Sequence, residues 1–131
     1  MATNLDALYE QGMDAFGKGD FNRAEDLFGR ILHINARFAD IHNKLGLIYS
    51  QTSRPDLAAK SYEKALEINP GYTEASLNLA ITYGDLNQYD KAQEVFERAA
   101  RISKKASGDI DPFVKGKLAN EHLKIGNIYS E

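Results

Sequence analysis

Hydrophobic positions recur at intervals of three and four along most of the chain and are interrupted by short polar stretches. Leu8, Gly12 and Ala15 mark one helical face, and Ala24, Leu27, Phe28 and Ile31 mark the next. Between them, Gly17-Lys18-Gly19-Asp20 is a breaker cluster suited to closing one helix and capping another. A second break falls at Thr52-Ser53-Arg54-Pro55-Asp56, where proline fits the first turn of a helix. A third falls at Gly84-Asp85-Leu86-Asn87-Gln88. The units end at Asn35-Ala36, at Asn69-Pro70-Gly71 and around Ser103-Lys104. The pattern predicts helix, short turn, helix, three times over.

The three units are copies at a spacing of 34 residues. Gly12, Gly46 and Ala80 fall in step, as do Ala24, Ala58 and Ala92, then Phe28, Tyr62 and Phe96, then Ile34, Ile68 and Ile102. Arg30, Lys64 and Arg98 keep the interval on a solvated face. Two antiparallel helices approach closely only where a side chain is nearly absent. Gly12 is therefore expected to face Ala24, Gly46 to face Ala58 and Ala80 to face Ala92, with Phe28, Tyr62 and Phe96 filling space towards the following unit. Ala65 and Ala99 let the next helix sit near, whereas Ile31 is bulkier at the same place. Each hairpin leaves an apolar face that only a neighbour can bury.

After Ile102 the period slips. Residues 107–111 read as a connector, with Asp111-Pro112 a cap followed by a first-turn proline. Val114, Leu118, His122, Ile125 and Tyr129 then form a helical stripe over residues 112–131. Leu123-Lys124-Ile125-Gly126-Asn127-Ile128-Tyr129 is similar to Lys44-Leu45-Gly46-Leu47-Ile48-Tyr49. The segment is read as the first helix of a fourth repeat whose second helix is missing, in preference to a terminal cap, because Ile125, Gly126 and Tyr129 would pack on the absent helix. Such an edge is expected to favour homo-oligomers formed through the C-terminal helix.

These residues resemble the tetratricopeptide repeat family. The second unit matches best, through Leu45-Gly46, Tyr49, Ala58, Tyr62, Ala65 and Pro70. The third matches through Leu79-Ala80, Tyr83, Tyr89, Ala92, Phe96 and Ala99, without the closing proline. The first departs more, with Gln11 for an aliphatic residue, Ala15 for tyrosine and Ala36 for proline; Leu8, His42 and Ser76 stand where an aromatic usually opens the first helix. The resemblance implies an all-α, right-handed superhelical solenoid of antiparallel helix hairpins, with repeats at 5–38, 39–72 and 73–106. It also implies that the first helices line a concave groove where ligands lie.

Transferred to this chain, the groove stripe carries Tyr9, Met13 and Phe16, then Asn43, Lys44 and Leu47, then Leu77, Asn78 and Ile81, and in the last helix Asn120, Lys124 and Asn127. Its apolar members suit the hydrophobic anchors of a peptide, and its asparagines suit a peptide backbone. A subgroup of the family clamps the terminal carboxylate of chaperone tails with lysine, arginine and asparagine. Here Lys44 is the only lysine among the groove positions of the full repeats, and Glu74 accompanies Asn78, so that clamp is not expected.

Composition narrows the functional classes. Of 131 residues, 43% are hydrophobic and 27% charged, an ordinary balance for a folded chain. The net charge of -3 offers no positive field for a phosphate backbone, and nucleic acid is not expected as a partner. There is no cysteine, which excludes disulfides, thiolate metal sites and a cysteine nucleophile. No stretch approaches the ~18 to 20 apolar residues that cross a bilayer, no membrane partner is expected, and the start lacks the marks of a secretory signal. The expected compartment is cytoplasmic.

Candidate chemistry is thin. His33, His42 and His122 sit in different units with no metal-ligand spacing. Glu25-Asp26 is better read as a solvated face, and Asp109 with Asp111 as capping. Gly17-Lys18-Gly19 lacks the long phosphate-loop pattern. No catalysis, cofactor or metal is expected. The leading expectation is a protein-interaction scaffold binding a peptide or protein segment; the alternative is a self-association or regulatory module of a larger protein.

Overall fold

The structure, a computed structural model, describes residues 4–107. These form six α-helices: α1 (Asn4–Gly17), α2 (Phe21–Ile34), α3 (Ala39–Gln51), α4 (Pro55–Ile68), α5 (Thr73–Asp85) and α6 (Tyr89–Ser107). They pack as three consecutive hairpins, α1 with α2, α3 with α4 and α5 with α6, and α4 and α2 carry the stack on to α5 and α3. There is no strand among the described residues, and the fold is an all-α stack of helix hairpins. The proposed helix over 112–131, with most of its 107–111 connector, lies outside the described residues.

The turn inside each hairpin is one device repeated. In the first, the Gly19 N–H donates to Phe16 O (3.1 Å) and the Asp20 N–H to Ala15 O (2.9 Å), closing α1 with Gly19 at φ 78°. This double bond satisfies carbonyls that the helix end would leave orphaned. One repeat on, Ser53 takes φ 61° and the Arg54 N–H reaches Tyr49 O (2.8 Å); one further, Asn87 takes φ 62° and the Gln88 N–H reaches Tyr83 O (2.8 Å). Only glycine adopts this backbone without a Cβ penalty; asparagine tolerates it and serine less so. Asp20 then caps α2, its side chain accepting from the Arg23 N–H, and Pro55 opens α4 at its first turn.

Between hairpins, Asn35 and Asn69 end α2 and α4 in extended backbone, and their side-chain oxygens accept from the Arg37 and Gly71 N–H groups (3.1 and 3.2 Å). The equivalent place in the third unit is Ser103. The expected ending there does not occur: α6 runs on to Ser107. Lys104, Lys105 and Ala106 are good helix formers, and neither asparagine, proline nor glycine intervenes.

Ala24, Ala58 and Ala92 are fully buried. The glycines of the first two hairpins lie against an aromatic ring. A Cβ built on Gly12 would meet the Phe28 ring at 2.5 and 2.8 Å, and one on Gly46 would meet Tyr62 Cδ1 at 2.6 Å and Cζ at 2.7 Å. Phe28 and Tyr62 thus lie across the glycines of their own hairpin instead of filling only the gap to the next. Both rings are sealed from water, and burying such a side chain contributes about 1.5–3 kcal/mol.

The buried residues divide into two clusters. Ala15, Ala24, Leu27, Phe28, Ile31, Ile41, Leu45 and Ile48, all from α1, α2 and α3, form one. Residues of α4, α5 and α6, among them Tyr62, Leu77, Leu79, Tyr83, Val95 and Phe96, form the other, and Tyr49 packs against both. α4 lies more extensively on α5 than α2 does on α3, in keeping with Ala65 where the first unit carries Ile31. A forked ion pair adds to the weaker junction: Arg54 Nη2 and Nη1 donate to Glu25 Oε1 and Oε2 at 2.7 and 3.4 Å, and the guanidinium lies 4.7 Å from the Tyr49 ring centre.

Candidate functional site

The first helices α1, α3 and α5 are knit into one face by side chains about one repeat apart. The Tyr9 hydroxyl donates to Asp40 Oδ2 (2.9 Å), and the Tyr72 hydroxyl, at the residue capping α5, donates to Asp40 Oδ1 (3.3 Å). Asn78 Nδ2 donates to Asn43 Oδ1 (3.1 Å), and Lys44 Nζ sits 5.5 Å from the centre of the Phe16 ring. Asp40, Asn43, Lys44 and Leu47 follow at three, four and seven along α3, so one helical stripe supplies the middle of the face.

The electrostatics of this face centre on Asp40. Tyr9 is held above the ordinary tyrosine pKa of 10.0, first by its hydrogen bond to Asp40, then by burial and the carboxylate charge. Tyr72 is pushed up to about 12, first by burial, then by the charges of Asp40 and Glu74 and the bond to Asp40, with Asn43 pulling slightly the other way. Both hydroxyls therefore stay protonated donors through the neutral range. The Asn43 Nδ2 is buried and makes no well-formed hydrogen bond among the described residues.

The stripe assigned to a ligand divides once its members are placed. Tyr9, Met13, Phe16, Lys44, Leu47 and Asn78 are half-buried and Ile81 is 38% exposed, so each presents surface. Asn43 at 0% and Leu77 at 3% do not. Asn43 is held beneath the face by Asn78, and Leu77 belongs to the second apolar cluster, so these two support the surface in place of offering it. The asparagines of the described repeats are therefore bonded to one another rather than standing as open rungs. Asn120, Lys124 and Asn127 lie outside the described residues.

Sequence reasoning passed over Asp40, Tyr72 and Phe38. The signal for Asp40 was its place one turn before Asn43 and Lys44 on the same stripe. Tyr72 and Phe38 precede their helices as capping residues, where serine, threonine or aspartate is the usual choice. Phe38 makes no cap hydrogen bond and instead stacks on Tyr9, with ring centres 5.8 Å apart and planes 12° from parallel. His33 is exposed, and His42 Nε2 is 2.9 Å from Ala36 O, tying down the loop before α3. Among the described residues no three His, Cys, Asp or Glu side chains gather to hold a metal ion, and no helix is long and apolar enough to cross a membrane.

Helical hairpins stacked in register, with one face cross-linked from helix to helix, define a helical-repeat protein. A family model for the tetratricopeptide repeat matches residues 37–105, and the chain belongs to that family. No curated protein matched it. Among solved structures, the chain is similar to a crystal structure of MamA, at 29% identity and TM-score 0.76, over 81% of this chain and 62% of MamA. It thus spans less than two thirds of that relative. The TPR2B domain of yeast Sti1, solved in a complex with pHsp70, superposes with TM-score 0.83 at 15% identity over 94% of this chain and 96% of its own. The first tetratricopeptide domain of Spaghetti (RPAP3), bound to the HSP90 peptide SRMEEVD, gives TM-score 0.81 at 18% identity over 97% and 94%. At those identities the last two show the shared fold.

Proposed function

We propose that the face of α1, α3 and α5 binds an extended or helical segment of another protein, and that the chain acts as a scaffold. The observation that carries this is the cross-linking of the three helices through Asp40 and Asn43, which supports a preorganised face, and the reading assigns Met13, Phe16, Leu47 and Ile81 to it as apolar anchors. Preorganisation lowers the ordering cost of binding. The Sti1 and RPAP3 domains of the same fold were solved with partners, which supports a ligand on this fold. A lysine-rich carboxylate clamp is not part of the proposal, because Lys44 lies over Phe16 and the carboxylate charges of Asp40 and Glu74 act on Tyr72.

The test is a selection of displayed peptides on the full chain, repeated with Leu47→Asp plus Ile81→Asp. Both residues present surface, so the double variant is expected to keep its helical circular dichroism and to lose binding by at least about tenfold, as when central apolar anchors are removed. Undiminished binding by the folded double variant would refute the groove. Leu77→Asp is unsuitable for this purpose, because a carboxylate at a 3% exposed core position unfolds the second cluster.

Self-association through residues 112–131 is a separate proposal supported by the sequence pattern, and a mass that rises with concentration in light scattering is its expected result. A regulatory role within a larger protein and a cytoplasmic location are likewise proposed from sequence.

A further inference from the structure

The first junction of the stack is held differently from the second. α2 lies on α3 less extensively than α4 lies on α5. The middle of the first junction is apolar, Ile31 of α2 sharing one buried cluster with Ile41, Leu45 and Ile48 of α3. Its two ends are polar. Where α3 begins, the Tyr9 hydroxyl bonds to Asp40 and the Tyr9 ring stacks on Phe38, so α1 is tied down at that end. Nearer the turns, α1 and α3 meet through Lys44 over the Phe16 ring, a contact made by a flexible four-carbon stem.

The firmer tie at the turn end runs through α2. Arg54, the residue before α4, donates to both carboxylate oxygens of Glu25 on α2, at 2.7 and 3.4 Å. Its Nε and Nη2 also donate to Thr52 Oγ1 (3.0 and 2.9 Å), and that hydroxyl donates to Ile48 O of α3 (2.8 Å). The guanidinium lies 4.7 Å from the centre of the Tyr49 ring, also of α3. An exposed ion pair ordinarily contributes little, because two long side chains must be immobilised to make it. Here the arginine is seated on α3 from two sides, so less ordering remains when it meets the carboxylate.

The pair has no copy at the second junction. Thirty-four residues on from Glu25 and Arg54 stand Ala59, buried in the second cluster, and Gln88, which is exposed. The ion pair therefore stands at the junction with less helix contact, at the end away from the Tyr9–Asp40 bond. A tilt of the first hairpin about that bond opens the groove first at Met13, Phe16 and Leu47.

We propose that Glu25 and Arg54 are a positioning pair for the groove: they fix the tilt of the first hairpin on the second, and with it the α1–α3 spacing that a bound segment spans. Neither residue belongs to the groove stripe, so the pair acts on a ligand through the helices alone. The inference rests on the groove reading and adds a regulation to it: binding weakens as salt screens the pair, although the anchors of the groove are apolar.

The test uses the full chain, which has no cysteine of its own, with spin labels at Asn22→Cys and Asp90→Cys. Both positions are exposed, near the turns of the first and third hairpins. Double electron–electron resonance reads the distance between them in the folded chain, which a loss of stability alone does not move. Arg54→Gln and Glu25→Gln are each expected to lengthen and broaden that distance with helical circular dichroism unchanged. Their combination is expected to do no more than either alone, because one interaction is lost in all three. Salt at about 1 M, where the screening length falls to about 3 Å, is expected to move the parent towards the variants and to leave the variants where they are. Peptides that need Leu47 and Ile81 are expected to bind each variant about two- to tenfold less tightly, within the range for residues that modulate a site they do not touch. A distance unchanged in both variants, or effects that add in the double variant, overturns the pair. A broadened distance with the affinity of those peptides unchanged overturns the positioning role and leaves the groove standing. A broadened distance with every peptide indifferent to Leu47 and Ile81 overturns the groove and, with it, what the pair positions.

Discussion

Replacing Gly46 with alanine adds a single methyl group where the Tyr62 ring already lies. The new Cβ would come within 2.6 and 2.7 Å of ring carbons, closer than real Cβ contacts allow. Tyr62 is 1% exposed and cannot swing into solvent. Overpacking of this kind costs about 1–3 kcal/mol, and three ring atoms in conflict put the cost near the upper end. Alanine recovers ~1 kcal/mol of helix propensity, which leaves a net loss of about 1–2 kcal/mol. Gly29→Ala is the control: it is exposed in the interior of α2, nothing lies within 4 Å of its Cβ, and it should gain about 0.4–1 kcal/mol. The same chemical change is therefore expected to have opposite signs at two sites. Urea melts followed by circular dichroism read both, and the melting temperature should shift roughly 3–5 °C per kcal/mol in a chain of this size. Tyr62→Leu should cost less in the Gly46→Ala background than in the parent, because the smaller side chain relieves the overlap. A Gly46→Ala variant as stable as the parent, or two substitutions that simply add, would refute the packing explanation.

Ser53→Gly should stabilise the chain by about 0.5 kcal/mol, since the left-handed backbone costs a non-glycine residue about 1–2 kcal/mol and glycine returns part of the gain through its freer unfolded state; the positive φ is that of Ser53, and urea melts check the direction. Stability should be flat to about pH 9 and fall above about pH 10. The sign follows from Tyr72, whose pKa is raised from 10.0 to about 12, with Tyr9, Tyr49, Tyr62 and Tyr83 raised as well: the unfolded chain releases these protons first, so the contribution present below pH 10 is lost on the way to 12. Urea midpoints between pH 7 and 11.5, alongside tyrosinate absorbance, measure it. In Asp40→Asn the titrations of Tyr9 and Tyr72 should move down, Tyr72 remaining the higher because burial is its largest cause.

Much of the architecture was legible from spacing. The three breaker clusters locate the turns because their chemistry is local: a left-handed residue at 19, 53 and 87, then a cap or a first-turn proline. The interval of 34 also marks which small and aromatic residues are buried. It could not say that the aromatic ring lies over the glycine of its own hairpin, since Phe28 fits either partner by periodicity and only the closeness of the helices decides. The face was partly legible for a similar reason. A helical stripe identifies residues that share a side, but Asn43 and Leu77 show that sharing a side does not settle depth: a bond from Asn78 covers one, and packing with α4 and α6 residues covers the other. Asp40 was missed because an acidic residue in a first turn already has an explanation in the helix dipole. Its second role depends on Tyr9 and Tyr72, some thirty residues away on either side.

The division of buried residues into α1–α2–α3 and α4–α5–α6 runs through the middle repeat. Across that seam α3 and α4 nevertheless lie on each other more extensively than any other two described helices, with Tyr62 over Gly46 and Tyr49 reaching both clusters. In a stack whose parts feel only their neighbours, the cooperative unit is set by where apolar contact is continuous. Contact here runs through the seam, so the described repeats are expected to melt as one stack. The hairpin is the module that the sequence copied, and the stack is the module that melts, because the middle hairpin gives one helix to each apolar cluster and so ties the outer two together.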